Sequence, residues 1–514
     1  MSEAWNEGYF TEVGYTYGYY RELNPVFQRF CLLLRGMGRP PASADDHHCE
    51  LGFGQGVSVN MHAAANPGMY IGTDFNPGQT AHAISLASAA GNDALLVDDS
   101  FQQLLERPGL PQFDSISLHG IWTWVSLDNQ KIIVEFARRH LKPGGVFYIS
   151  YNCFPGWAPA YPLRQLFSLH DRFAGSSSVA DNRVNAALTF TQSLLEAAPE
   201  YMKAVPGLPA RLKKIMSQDR RYLAHEYFNR EWNCMYFTDV VDALEPAKLE
   251  FAGTAVPFDA VDAVNLTAEG SAFLKTIQHP LMREQARDYF INQQFRKDLY
   301  VRGAVRLTPA EQTQQWLEFR FVLLVPPEEV PLKFKASLGE ATLQESVYRP
   351  VIAALAQGDH VPKTLRQLVA SLPDISLVQL QQAVTLLVGM SVVAPCQDDA
   401  AASQARKKCE ALNRHICGRA AYSGDIETLA SPVTGGGVSV SRMQQLFLLA
   451  LSANRNQSQE WAQHAWRIIG RQGHKLSRDG VVLETAEANL AELNDRATEF
   501  AARRLPILKA LQIV

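Results

Sequence analysis

The 514-residue sequence predicts an α/β fold, with a parallel sheet in its first third and mainly helical units behind it. Three observations carry this. The stretch His48-Cys-Glu-Leu-Gly-Phe-Gly-Gln-Gly56 reads as a strand ending at Leu51, a glycine turn, and a helix from Val57 to Ala65. Short apolar runs then alternate with helical patterns as far as Ser150, the spacing of βαβ units. From residue 180 onward the apolar spacing is mostly helical.

Length and composition set the frame. A chain of this size outgrows a single core, so two to four domains are expected. The net charge of −4 offers no basic excess for nucleic acid or an anionic membrane. Seven scattered cysteines without a Cys-x-x-Cys pair read as reduced thiols in a cytoplasmic protein, with no disulfide framework and no metal site. The first residues lack the basic-then-apolar layout of a signal peptide, and no apolar run nears the ~20 residues of a membrane span.

Taken in order, residues 1–25 are crowded with aromatics: Trp5, Tyr9, Phe10, Tyr15, Tyr17, Tyr19 and Tyr20. Tyr15, Tyr17 and Tyr19 alternate, so in an extended segment they share a face. That face either covers the sheet edge or forms a lid over a cationic ligand. Glu50 closes the first strand, and Gly52, Gly54 and Gly56 let a ligand approach the backbone beside a helix N-terminus. The third glycine comes one residue too early for a dinucleotide fingerprint, with Val57 where that fingerprint wants glycine. Met69 to Asp74 is a second strand with an acidic tip, followed by Phe75. Asp74 lies about 20 residues past the loop, where a carboxylate accepts ribose hydroxyls; the alternative is a cap for the next helix. Ala94 to Val97 is a third strand, ending in Asp98, Asp99, Ser100 and Phe101, which either meet a nucleobase or cap a helix.

Phe113 to Leu118 is the fourth strand and runs into His119-Gly-Ile-Trp-Thr-Trp-Val125. A helix to His140, a turn at Lys142–Gly145 and a fifth strand, Val146 to Ser150, follow. Tyr151-Asn-Cys-Phe-Pro-Gly-Trp157 sets a polar amide among aromatics just past that strand. Asn152 suits a hydrogen bond to an amine, and Trp122, Trp124 and Trp157 suit the wall of an apolar channel, with Trp124 better read as core.

Glu50-Leu-Gly-Phe-Gly-Gln-Gly56, Gly72-Thr-Asp74, His119 to Val125 and Ser150 to Trp157 together resemble class I S-adenosylmethionine (SAM) methyltransferases of bacteria that carry a methyltransferase regulatory domain. That group includes rickettsial protein-lysine methyltransferases acting on outer-membrane proteins. The resemblance extends to Tyr222 to Asn229, Met235-Tyr-Phe237 and Asp288 to Arg296, and departs at Phe53 and in the aromatic run Tyr17 to Leu23. It implies a Rossmann-like domain over 1–175, ending near Gly175-Ser-Ser-Ser178, and a helical regulatory domain over 180–300. Its cofactor is SAM, held by Glu50, Gly52, Gly54, Gly56, Asp74, Phe75, Asp98, Asp99, Ser100, Phe101 and His119. Tyr17, His119 and Asn152 are the expected catalytic groups, and Tyr15, Tyr19, Trp122, Tyr151 and Trp157 the substrate wall. The expected reaction is methyl transfer to an amine, most simply the lysine of a protein, such as an outer-membrane or surface protein before export. An amine can lose its proton to water, so no strong general base is required. A SAM-binding module without turnover and a small-molecule methyltransferase are the alternatives.

Within 180–300 the expected helices are Asn182–Ala197, Leu208–Ser217, Phe237–Leu244 and Ala268–Asn292, with His225 and Glu226 as surface or interdomain residues. Trp316–Val325 alternates like a strand. Residues 344–395 read as three helices and a short strand, a winged-helix-like layout inside a mixed 301–395 module. With no Lys or Arg between Gln367 and Ala405, this module suits protein contacts rather than DNA. Gln397–Ser403 reads as a linker, and 406–514 as a mainly helical domain broken at Gly435–Gly437, a place for a homodimer contact.

Overall fold

The computed structural model describes residues 15–175, 177, 179–197 and 199–514. Trp5, Tyr9 and Phe10, and two of the serines expected to end the first domain, Ser176 and Ser178, lie outside the described residues.

The organising element is a seven-stranded sheet: β1 (His47–Leu51), β2 (Met69–Thr73), β3 (Leu95–Val97), β4 (Phe113–Leu118), β5 (Leu141–Asn152), β6 (Leu249–Thr254) and β7 (Phe295–Arg302). Their order is β3-β2-β1-β4-β5-β7-β6. β1 to β5 pair in parallel, and β7 is antiparallel to both β5 and β6. The chain direction reverses its crossover beside β1, so the tips of β1 and β4 flank a crevice, the usual ligand position in such sheets.

Helices cover both faces. Alternate residues of β5 enter different cores, as a strand's two-residue period requires. Val146 and Tyr148 join α1 (Pro25–Leu34) and the 316–393 region, while Phe147 and Ile149 join α5 (Leu127–His140). α2 (Val57–Ala65) and α3 (Pro77–Ala90) flank the other half of the sheet, and the short α4 (Phe101–Glu106) follows β3.

Several expectations are corrected. Residues 180–300 are not all helical, because β6 and β7 belong to the sheet and the segment 161–247 is a helical insertion between β5 and β6. The sheet therefore does not end at residue 175. The expected helix Ala268–Asn292 is two helices, Ala268–Thr276 and Pro280–Ile291, separated by the bend before Pro280, which cannot supply a helical N–H. The Lys142–Gly145 turn lies within β5, at the register shift between Phe113 and Ser115. Trp316 is in a helix, Pro309–Glu318, and the strand following it is only Arg320–Leu323.

The expected linker Gln397–Ser403 is mostly the start of a 21-residue helix, Asp399–Arg419, capped by the Asp398 side chain. Gln397 is buried, and its amide donates to the Ala65 carbonyl at 2.8 Å. Residues 406–514 are no separate body. Cys409, Leu412 and Ile416 share one core with Met61, Ala64, Leu86 and Ala90 of α2 and α3. Gly435 closes the turn of a hairpin between Thr428–Ser431 and Gly436–Ser439, whose Gly436 and Gly437 press on Tyr19.

Candidate functional site

The glycine loop is drawn into place by its own sheet. The Gly52 amide donates to the Thr73 carbonyl at 2.8 Å, and the Gly54 amide donates to Asp74 Oδ2 at 2.8 Å. Gly52 has φ +73°, and a Cβ there would lie 2.3 Å from Ile121 Cδ1. Gly56 has φ +73° too, but its closeness serves packing: a Cβ would lie 2.3 Å from Ala83 Cβ on α3. Gly56 thus lies outside the pocket lining, contrary to its expected cofactor contact.

The pocket beyond the loop is lined by Glu50, Gly52, Gly54, Asp74 and Phe75 from the ends of β1 and β2, by Asp99, Ser100 and Phe101 following β3, and by His119 following β4. Glu50 and Asp74 are both buried. Burial pushes the Glu50 carboxyl up to about 8, with the Asp74 charge adding to it. Burial likewise raises Asp74 to about 7, against the opposing pull of its hydrogen bonds from the Asn76 and Gly54 amides. Two buried carboxyls in one pocket, of which Asp74 is already held by the Gly54 and Asn76 amides, fit a ligand that brings hydroxyl and ammonium donors, as SAM does. Asp99 faces the pocket while bound to Arg107 at 2.7 Å. Ser100 lines it and also caps α4 in a capping box with Gln103, so both expected roles occur. Asp98 does not line the pocket.

A second, larger cavity of about 1220 Å³ opens beside the first. Tyr15, Tyr20, His119, Gly120 and Trp124 line both. Its far walls are Asn152 and Trp157 from the end of β5, and Arg211, Tyr222 and Glu226 from the helical insertion. Asn152 is fixed by its backbone N–H, which donates to Thr123 Oγ1 at 2.9 Å, and by its side-chain amide, which donates to Glu226 Oε1 at 3.1 Å. Trp157 is buried against Trp232 (4.9 Å) and the Arg211 guanidinium (4.5 Å).

The structure divides the expected tyrosines. Tyr15 faces both cavities. Tyr17 turns away and packs on His82 at 5.1 Å, outside either lining, so it is not at the reacting centre. Tyr19 also turns away, with its ring 5.4 Å from His62 and against Gly436 and Gly437. The strict alternation fails because Tyr20, not Tyr19, points into the site, where its ring stacks on His119 at 3.9 Å. Trp122 is fully buried, with its indole N–H on Met235 Sδ, and Tyr151 is fully buried, with its hydroxyl donating to Asp298 at 2.7 Å; neither reaches a cavity. Trp124, expected in the core, lines both cavities instead.

His119 sits where the cavities meet, with Nδ1 2.8 Å from the Tyr148 hydroxyl. Burial pushes it down to about 3, so it is a neutral imidazole at physiological pH. The group missed by sequence reasoning is Glu226. It belongs to the helix Arg220–Tyr227, is buried, and receives hydrogen bonds from Asn152 and Tyr222. The sequence signal was only the His225-Glu226 pair, which nothing local connected to β5.

Residues 49–149 match the model of the methyltransferase domain, and residues 219–302 that of the predicted methyltransferase regulatory domain. With the glycine loop, the two pocket carboxyls and this sheet order, the chain is a Rossmann-like methyltransferase of the SAM-dependent class, and SAM is its cofactor. It belongs to one family with the uncharacterized protein sll1526 of Synechocystis sp., to which it is 40% identical over 514 residues, 99% of this chain and 100% of the other. It is 25% identical over 351 residues to the uncharacterized protein RP789 of Rickettsia prowazekii, covering 65% of this chain and 59% of that one. Among solved structures, PKMT2 from Rickettsia typhi in complex with AdoHcy matches 96% of this chain and 99% of its own, with TM-score 0.70 at 17% identity, a likeness of fold. Among the described residues, no helix is long and apolar enough to cross a membrane.

Proposed function

We propose that the protein methylates lysine side chains of a protein substrate. The observation that supports this reading is the pair of cavities meeting across Tyr15, Tyr20, His119, Gly120 and Trp124. The first suits a nucleoside; the second, at about 1220 Å³, exceeds what a small metabolite needs and suits a side chain together with part of its polypeptide.

When bound, SAM supplies an electrophilic methyl group on a sulfonium. On this reading Asp74 accepts from its ribose, Glu50 offsets positive charge, and Phe75 and Phe101 cover its base. Tyr15 and Tyr20, whose hydroxyls hydrogen-bond each other, close the junction and turn aromatic faces to cationic groups. His119, being neutral, adds no like charge there. Asn152 orients the incoming amine, and the shared wall aligns it with the methyl group, which converts a two-body encounter into a positioned one. Residues 406–514 act on this reading as a brace for the tyrosine segment, through the hairpin at Gly436.

The test is incubation of the full chain with methyl-labelled SAM and a lysate of its source organism, followed by acid hydrolysis of the labelled bands. Methyl-lysine in a discrete band, such as an outer-membrane or surface protein, is the expected result. Label confined to small molecules overturns the reading.

A further inference from the structure

The regulatory region contributes a side chain to the reacting centre, and nothing assigned so far accounts for it. Glu226 lies on the helix Arg220–Tyr227, within the predicted regulatory domain and outside the matched methyltransferase domain. Its carboxylate is nonetheless held 3.1 Å from the amide of Asn152 at the end of β5, in the wall of the open cavity. The Asn152 amide nitrogen is turned to Glu226, and its carbonyl oxygen is the end that can accept from an ammonium, which only donates. Among the described residues, the buried Glu226 carboxylate takes hydrogen bonds from the neutral Asn152 and Tyr222 and makes no ion pair, a setting that a substrate ammonium would complete.

We infer that Glu226 receives the ammonium group of the substrate side chain and takes its proton, so that the regulatory domain completes the catalytic centre. This rests on the amine-methylation reading above. One N–H bond breaks and one O–H bond forms on Glu226. The pair left on nitrogen then forms the N–CH3 bond as the S–CH3 bond breaks, and the positive charge passes from sulfur to nitrogen. No further reactant is needed. The groups facing Glu226 suit the task. Burial raises its pKa to about 7, while Asn152, Tyr222 and the more distant charges of Arg164 and Arg211 pull it down; Tyr227 flanks it on its own helix. A carboxylate poised near neutrality both ionises in the cell and accepts a proton. Trp124 ties the helix to the shared wall, its indole N–H reaching the Glu226 carbonyl at 3.4 Å.

The experiment uses the full chain saturated with AdoHcy, so that the first pocket is filled, and n-butylammonium as the lysine-side-chain probe in isothermal titration at pH 8. Methyl transfer to poly-L-lysine is followed from pH 6 to 10. Glu226→Gln is expected to weaken butylammonium at least about tenfold while AdoHcy binding holds. It is expected to lower kcat/KM by about 100-fold or more, and its residual rate should climb toward the pH at which free lysine deprotonates. The wild-type rate should instead rise through about pH 7 and level off. Tyr222→Phe, which removes only the hydroxyl that helps to ionise Glu226, should move that rise to higher pH. Equal butylammonium binding by wild type and Glu226→Gln, no binding by either, or an unchanged pH profile in both variants overturns the inference. Glu226-dependent binding with no transfer to any lysine leaves the ammonium site standing, removes the proton transfer, and overturns the methylation reading.

Discussion

Replacing Gly436 with alanine tests whether the C-terminal half holds the site closed. Gly436 lies about 420 residues from Tyr15 in sequence, yet an added Cβ would fall 2.3 Å from the Tyr19 hydroxyl and 2.7 Å from Asn24 Nδ2. Its own φ is not in the left-handed region, so the substitution strains the contact and not the turn. Overpacking of this kind costs about 1–3 kcal/mol. Tyr19 can escape only by carrying its neighbours, and Tyr20 is stacked on His119 at the junction of the two cavities. If all of that cost falls on the seated state of residues 15–20, and only the seated state binds SAM, the apparent Kd rises by about 5- to 150-fold. The assay is titration of SAM into Gly436→Ala and into Gly418→Ala. The latter lies in the same unit, where a Cβ meets nothing within 4 Å. Gly418→Ala should bind as wild type. If Gly436→Ala lowers Tm by several degrees but keeps its SAM affinity within twofold, the brace is structural only and the coupling argument fails.

Gly56→Ala forces α2 from α3 and should lower stability by about 1–3 kcal/mol in denaturant titration. The two tryptophans should separate cleanly: Trp122→Ala empties a core site at a cost of about 3–5 kcal/mol in stability, whereas Trp124→Ala should mainly raise KM, read by initial rates. Asn152→Ala deprives a charged group of a donor and should cut kcat/KM by about 10- to 150-fold, with SAM affinity within twofold. SAM should bind more tightly as pH rises from 6 to 8, because Glu50 and Asp74 must ionise to accept from it. The ligand-free protein should show the opposite trend in thermal melts. Its folded carboxyls near 7 and 8 hold protons that the unfolded chain has already released, so stability falls as pH rises from about 4.5 to 8.

What was legible in the sequence was local. His48 to Gly56 is one strand, one turn and one helix start, and each needs only neighbours to explain it. The same holds for Asp74, whose place at a strand tip follows from its spacing and whose carboxylate then reaches back to Gly54. Legibility ended where the fold brings distant segments together. Two-residue alternation put Tyr15, Tyr17 and Tyr19 on one face, but Tyr17 and Tyr19 are claimed by His82, His62 and a hairpin more than 400 residues on, so Tyr20 takes the place at the site. Likewise β6 and β7 gave no parallel-sheet signal of their own, since they enter the sheet only after a helical insertion.

The route of the chain also brings residues beyond the first 175 to the wall of the open cavity. β5 ends at Asn152, and its far neighbour is β7, whose register Asn152↔Phe295 sets the floor of the open cavity. Between them the insertion folds back far enough for Met235 to bridge Cys153 and for Glu226 to meet Asn152. Arg296, at the head of β7, is buried with Glu284, Asp288 and Asp298, and Asp298 takes the Tyr151 hydroxyl. Removing any partner of such a cluster leaves a buried charge without its match. Residues 219–302 are therefore tied to β5 on both sides of Asn152, so a shift of that segment acts directly on the Glu226–Asn152 contact.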